Sequence, residues 1–187
     1  MANPIIIKIE GLESASTTAV CTAQAVAAAG DLTIDGASAS GGVATLDQAR
    51  RVLITSAGDD SGITFTVYGT NSTGNTISEV LTGSNAGTVQ STMDFKTVTQ
   101  VAASGAAAGN VSVGTSGVAS TPWQVLDFAR NPVNVGMRFN VSGTVNFTLE
   151  LTMDDPNSVL NPQGQTIYPQ YSSNAMQSNN RRCRSTT

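Results

Sequence analysis

The chain has 187 residues, of which 40% are hydrophobic and only 12% are charged. A chain of this length can bury about two-thirds of its unfolded surface, so a core needs no disulfide or metal, and the composition excludes a disordered chain. The net charge of −4 argues against a general nucleic-acid binder. The absence of histidine removes the commonest general base and the commonest transition-metal ligand.

The amino-terminal stretch NPIIIKIEG contains the β-branched run Ile5, Ile6 and Ile7. Such a run predicts either an edge strand or an arm that lies on a neighbouring molecule. The start of the chain lacks the basic and long apolar regions of a signal peptide, and no stretch approaches the ~18 apolar residues of a membrane span. We therefore expect a protein made in the cytoplasm, without a membrane partner.

Residues 14–45 are rich in alanine, serine, threonine and glycine. Within them, TAVCTAQAVAAAG suits a helix or a strand, and Cys21 is expected to be a small buried residue. The stretch DLTIDG predicts a strand with Leu32 and Ile34 on one face. The second helix candidate is TLDQARR, residues 45–51. The sequence therefore predicts at most two short helices.

The middle of the chain alternates between apolar and polar residues. Val52 and Ile54 share one parity, as do Ile63, Phe65 and Val67, which predicts strands with one buried face. The segments SAGDDSG and GTNSTGN between such runs are rich in turn-forming residues. Turn signals recur about every 8–12 residues, a spacing typical of sandwiches, jelly rolls and barrels.

The clearest alternation lies in GTVNFTLELTMDDPN, residues 143–157. It predicts a strand whose apolar face consists of Val145, Phe147, Leu149, Leu151 and Met153. We predict an all-β, antiparallel, jelly-roll-like sandwich or barrel with extended terminal arms. The predicted divisions are an amino-terminal arm with the first strands (residues 1–44), a β-sandwich core (45–157) and an extended tail (158–187).

The tail lacks a sustained hydrophobic period, and its large apolar residues are Ile167, Tyr168 and Tyr171. Its end carries a basic cluster that suits an acidic partner surface, nucleic acid or simple solvation. Cys183 lies in the same segment and is expected to be a free thiol. We predict that the apolar and basic residues of the two ends form a subunit or capsid interface: Ile5, Ile6, Ile7, Ile167, Tyr168, Tyr171, Arg181, Arg182 and Arg184.

The sequence contains no motif that indicates catalysis, metal binding or nucleotide binding. The pairs Asp59-Asp60 and Asp154-Asp155 offer oxygen ligands, but no loop has calcium-binding spacing, so we expect solvated turn carboxylates. Without histidine a Ser-His-Asp triad cannot form, and no phosphate-binding or dinucleotide motif occurs. We therefore predict a protein that is not an enzyme, with no catalytic residue, metal or cofactor.

The segment DDSGITFTVYGTNSTGNTISEVLTGSNAGTVQSTMDFKTVTQVAASGAAAGNVSVG and the later VNFTLELTMDDP resemble stretches of tailed-bacteriophage virion proteins. The resemblance covers about residues 45–157 and is greatest to β-rich capsid decoration proteins. It implies a jelly-roll-like fold, a homotrimer on the capsid surface and the major capsid protein as partner. Two alternatives remain: a head–tail connector or tail component, and a carbohydrate-binding adhesin domain.

Overall fold

The computed structural model describes residues 12–124, 136–139, 145–152, 167–176 and 181–184, with side chains for 12–124 and 146–150. The chain divides into two compact units, Met1–Pro122 and Trp123–Thr187. Every regular element in the described ranges is a β-strand, and all the strand pairs are antiparallel. The prediction of an all-β antiparallel fold is therefore confirmed.

The first unit contains one eight-stranded sheet in the order β1-β8-β4-β7-β5-β6, with β2 added to β7 and β3 added to β4. The strands are β1 (Ser16–Ala25), β2 (Gly30–Asp31), β3 (Ala39–Ser40), β4 (Val43–Ser56), β5 (Thr64–Thr70), β6 (Thr76–Thr82), β7 (Thr88–Ala103) and β8 (Asn110–Ser120).

The sheet encloses a single apolar core. Along β5 the residues alternate, so that Phe65 and Val67 are fully buried while Tyr68 is exposed. The strands β4, β7 and β8 contribute further fully buried side chains to the same cluster: Val52, Ile54, Phe95, Val98, Val101, Val111 and Val113. The predicted inward parities of β4 and β5 are thus confirmed. Irregular pairing interrupts the β4–β7 ladder between Thr45 and Leu53, where strands bend and twist more strongly.

Neither helix candidate is helical. Residues 45–51 lie within β4, where Ala44 pairs with Val98 of β7 and Ala49 pairs with Ser120 of β8. Thr45 pairs with Thr97, and Arg50 pairs with Phe95 and Ala119, so the stretch is held extended at both of its ends. This tertiary pairing overrides the helical preference of TLDQARR. The stretch around Cys21 forms β1, and Cys21 is fully buried as predicted.

The strand predicted for DLTIDG is shorter than expected, because β2 ends at Asp31. The amide of Leu32 still donates to the carbonyl of Val101 at 2.8 Å. Leu32 is buried and Ile34 packs on the core, so the predicted face is correct although the strand stops. After that point, polar side chains replace ladder bonds: the amide of Thr33 donates to Gln24.

The predicted turn between β5 and β6 is built around one asparagine. Asn71 Oδ1 accepts hydrogen bonds from the amides of Thr73 and Asn75 at 3.0 and 2.9 Å. Gly74 has a φ of +86°, a conformation that other residues rarely adopt. Asparagine and glycine thus fix a tight reversal, and they place β6 beside β5 in continuous register.

The second unit contains two ribbons of two strands each. The first ribbon pairs β10 (Val145–Thr152) with β11 (Ile167–Met176), and the second pairs β9 (Gly136–Phe139) with β12 (Arg181–Arg184). Along β10, Asn146, Thr148 and Glu150 are exposed while Phe147 and Leu149 are half-buried. This confirms the predicted alternation along the strand.

Among the described residues, no helix could serve as a membrane span.

Candidate functional site

The apolar residues predicted as interface anchors in the tail lie in one strand. Ile167, Tyr168 and Tyr171 belong to β11, and their cross-strand partners in β10 are Thr152, Leu151 and Leu149. The β10–β11 pairing contains two register irregularities, which increase the local twist of the ribbon. The other predicted anchors, Ile5, Ile6 and Ile7, lie outside the described residues.

The three predicted arginines lie together in β12. Its partner β9 contributes a fourth, because Arg182 is directly opposite Arg138. The eight residues of this ribbon, GMRF and RRCR, include four arginines and no acidic residue. Like charges at opposite positions of an antiparallel pair destabilise it. The β9–β12 ribbon therefore has a positive charge that an anionic partner would compensate.

Charge is divided unequally between the two units. Residues 1–122 include nine acidic and four basic residues, a net charge of −5, whereas residues 123–187 include four acidic and five basic residues, a net charge of +1. The sum is the overall −4. Sequence inspection located the arginines of β12, but their pairing with Arg138 depends on a strand register that no local pattern indicates.

A buried arginine holds Glu13, near the start of the described residues, on the large sheet. Arg50 is 1% exposed, and its guanidinium donates to the carbonyl of Ser116 (2.7 Å), the carbonyl of Glu13 (2.6 Å) and Asp47 Oδ1 (3.1 Å). Asp47 Oδ2 in turn accepts from the amide of Glu13 at 2.9 Å. We call these residues the Arg50 cluster: Glu13, Asp47, Arg50 and Ser116. It holds the backbone of residue 13 at both its N–H and its C=O.

The electrostatics of the Arg50 cluster favour ionised Asp47. Burial opposes ionisation, but the backbone amides of Glu13 and Gln48, together with the charge of Arg50, lower the pKa of Asp47 below its ordinary value of 3.8.

An open groove of about 560 Å³ lies beside this cluster and is lined by Glu13, Asp47 and Lys96 among others. The Lys96 ammonium donates to the carbonyls of Leu46 and Asp47, so this cation supports the backbone of β4.

The two outer edges of the large sheet differ. The edge at β1 is covered, since the amides of Gly36 and Ser38 donate to the carbonyls of Val20 and Ala19 at 2.9 and 2.8 Å. A side chain at position 36 would clash with the backbone of Ala19, so glycine permits this close approach. The edge at β6 has no strand beside it among the described residues.

Exposed apolar side chains mark the outer face near β6. Val80 is 63% exposed and Tyr68 of the adjacent β5 is 37% exposed. A carbohydrate-binding platform needs a group of exposed aromatic rings; in residues 12–124, Tyr68 is the only tyrosine, phenylalanine or tryptophan with that exposure. Trp123 is half-buried.

Several acidic residues of the first unit accept hydrogen bonds from backbone amides of the same unit. Glu79 of β6 accepts hydrogen bonds from the amides of Thr92 (2.8 Å) and Met93 (2.9 Å) in β7. Asp59 is exposed and bonds to Ser61, as predicted for a solvated turn carboxylate. The same prediction is wrong for Asp60, which is 2% exposed and whose Oδ1 accepts a hydrogen bond from the amide of Ala108 at 2.7 Å. Asp154 and Asp155 lie outside the described residues.

The described side chains contain no group of three or more histidine, cysteine, aspartate or glutamate residues that could hold a metal ion. Burial raises the pKa of the Cys21 thiol to about 12, with a smaller contribution from the charge of Asp35. A thiol with so high a pKa is a poor nucleophile at neutral pH. No protein-family model, curated protein or solved structure matches the chain.

Proposed function

We propose that the chain is a structural virion protein of a tailed bacteriophage that binds the capsid shell and stabilises it. In this proposal the large sheet is a self-sufficient body and the second unit makes the contacts. The partners are the major capsid protein and other copies of the chain, with a homotrimer favoured by the resemblance of residues 45–157 to decoration proteins. The protein acts by assembly, on the virion surface, and carries out no reaction.

The observation that carries the proposal is the pair of ribbons in the second unit. A two-stranded ribbon alone is marginally stable in water, because it buries too little apolar surface to offset the entropy of ordering its backbone. The β10–β11 ribbon places Ile167, Tyr168 and Tyr171 in one strand, and the β9–β12 ribbon concentrates four arginines. Contact with a partner surface would supply the missing burial and the compensating negative charge.

The Arg50 cluster gives the amino-terminal end a comparable role. It fixes both backbone groups of Glu13 to the large sheet, immediately after the segment that contains Ile5, Ile6 and Ile7. A segment anchored at one point pays less entropy when its far end binds a neighbour, because the anchored end is already ordered. Two ends that each bind weakly suffice when several copies act on one shell.

The direct test is co-sedimentation of the purified full chain with phage shells that lack it. We expect saturable binding that raises the melting temperature of the shells, since a ligand that binds only the assembled state stabilises that state. Binding should weaken between about 50 and 300 mM salt if the arginines of β12 face an acidic surface. A chain that neither binds shells nor changes their melting would exclude the decoration role and favour a connector, tail or adhesin role.

A further inference from the structure

Among the described residues, the outer edge of β6 offers a row of backbone groups with no partner strand. Beyond the two ends of the β5–β6 ladder, the amide of Gly83 donates to Ile63 and the amide of Asn71 donates to Asn75. Hydrogen-bonded and non-hydrogen-bonded pairs alternate along an antiparallel ladder. In the continuous register of β5 and β6, the odd-numbered residues of β6 therefore bond to β5. Its even-numbered residues direct their N–H and C=O groups outward: Thr76, Ser78, Val80 and Thr82.

This edge lacks most of the features that keep sheet edges apart. Soluble proteins protect edge strands with lysine, proline, inward-pointing charges, bulges or very short length. The seven residues of β6, TISEVLT, contain neither lysine nor proline, and their pairing with β5 has no irregularity. The one charged residue, Glu79, has its carboxylate bound by the amides of Thr92 and Met93 of its own molecule. Glu79 is thus the one inward-pointing charge on the edge, and these bonds already occupy its carboxylate within its own molecule.

We propose that β6 pairs antiparallel with β6 of a second copy of the chain about a two-fold axis through Glu79. This proposal rests on the assembly role proposed above for its biological setting. Because a cyclic trimer has no two-fold axis between two of its copies, the β6 pairing would join copies of neighbouring trimers. The register places Ile77 opposite Leu81, Ser78 opposite Val80 and Thr76 opposite Thr82. All four outward-facing residues of each strand then form hydrogen-bonded pairs, with about eight bonds in total because each pair exchanges two.

The side chains also match in this register. Ile77 and Leu81 are core residues, so apolar residues meet on the inner face of the joined sheets. On the outer face, Val80 is 63% exposed and gains the Val80 of the second copy as a diagonal neighbour. Threonine opposite threonine is a favourable cross-strand pair. The two Glu79 residues face each other across the axis, which opposes pairing, and the hydrogen bonds from each carboxylate to its own β7 reduce this cost.

Self-association of the full chain, measured by analytical ultracentrifugation without shells, tests the proposal. Val80→Pro removes an outward N–H that β5 does not use, so the fold should persist. Val80→Thr is the matched control, since it keeps the N–H and the β-branched shape. We expect Val80→Pro to raise the dissociation constant at least about ten-fold, and Val80→Thr about two-fold or less. Equal constants for Val80→Pro and the unaltered chain would overturn the proposal.

Amide exchange of the unaltered chain gives a second test that needs no variant. The amides of Ser78 and Val80 should exchange slowly at high protein concentration and quickly at low concentration, whereas those of Ile77 and Glu79 should be protected at both. Concentration-independent protection of Ser78 and Val80 would show that another segment of the same chain covers the edge, and would overturn the proposal. Binding to shells is a separate measurement, so β6 pairing without shell binding would contradict only the proposed function.

Discussion

The large sheet and the β10–β11 ribbon differ in how completely they bury the apolar faces of their strands. In the sheet, β4 and β7 have partners on both edges, and Ile54 and Phe95 are completely buried. In the β10–β11 ribbon each described strand has one partner, and Phe147 and Leu149 are only half-buried. Yet the alternation of apolar residues is clearest in β10. Alternation therefore indicates a strand with one apolar face, whereas the amount of burial depends on what else the fold places against that face.

The largest expected effect comes from truncating a phenylalanine in each region. Phe65→Ala should reduce the free energy of unfolding by about 3–5 kcal/mol, because a fully buried ring leaves a cavity. Phe147→Ala should cost about 1–2 kcal/mol in the isolated chain, because the ring is already partly hydrated. Urea denaturation of both variants measures the difference. Equal losses would mean that the ribbon has a core as complete as that of the sheet.

The next largest effect concerns the Arg50 cluster. Arg50→Ala should cost about 2–4 kcal/mol, because it leaves the carbonyls of Ser116 and Glu13 and the Asp47 carboxylate without their donor. Arg50→Lys retains the charge but loses the forked geometry, so it should recover only part of the loss. Thermal melting of both variants tests this order. A lysine variant as stable as the unaltered chain would show that charge alone matters at this position.

The pH dependence of stability tests the charge of Asp47 in the Arg50 cluster. The expected change in the free energy of unfolding is smaller than that for Arg50→Ala. The pKa of Asp47 is lower in the folded chain than its ordinary value of 3.8, so ionised Asp47 stabilises the fold. This contribution is complete above the unfolded pKa and is lost as the pH falls through the folded pKa. Comparing the chain with Asp47→Asn between pH 6 and pH 2, we expect the stability difference to shrink below about pH 4. A difference that stays constant with pH would contradict the role of the charge.

The smallest effect is on the reactivity of Cys21. In a Cys183→Ser chain, Cys21 is the remaining thiol; it is fully buried and has its pKa raised to about 12. At pH 8 it should resist thiol reagents, and labelling should begin only as denaturant opens β1. Rapid labelling of the native chain would show that β1, unlike the rest of the sheet, opens easily.

Local patterns predict much of this fold and less of its surfaces. Phe65 and Val67 alternate with polar neighbours, as do Phe147 and Leu149. This pattern indicates strands and their inward faces. The helix suggested for residues 45–51 does not form, because pairing with β7 and β8 outweighs local propensity. The burial of Arg50 depends on carbonyls at residues 13 and 116, far away in sequence. The pairing of Arg182 with Arg138 is equally distant and has no local signature.

The most direct test of the central claim separates the sheet from the tail. We would compare the full chain with a chain ending at residue 164, which lacks β11 and β12, by far-UV circular dichroism, urea denaturation and co-sedimentation with shells. The shortened chain should retain a folded β-sheet with a similar unfolding midpoint and lose shell binding. A shortened chain that binds shells like the full one would contradict the assignment of the contacts to the second unit, and one that unfolds would contradict the self-sufficiency of the sheet.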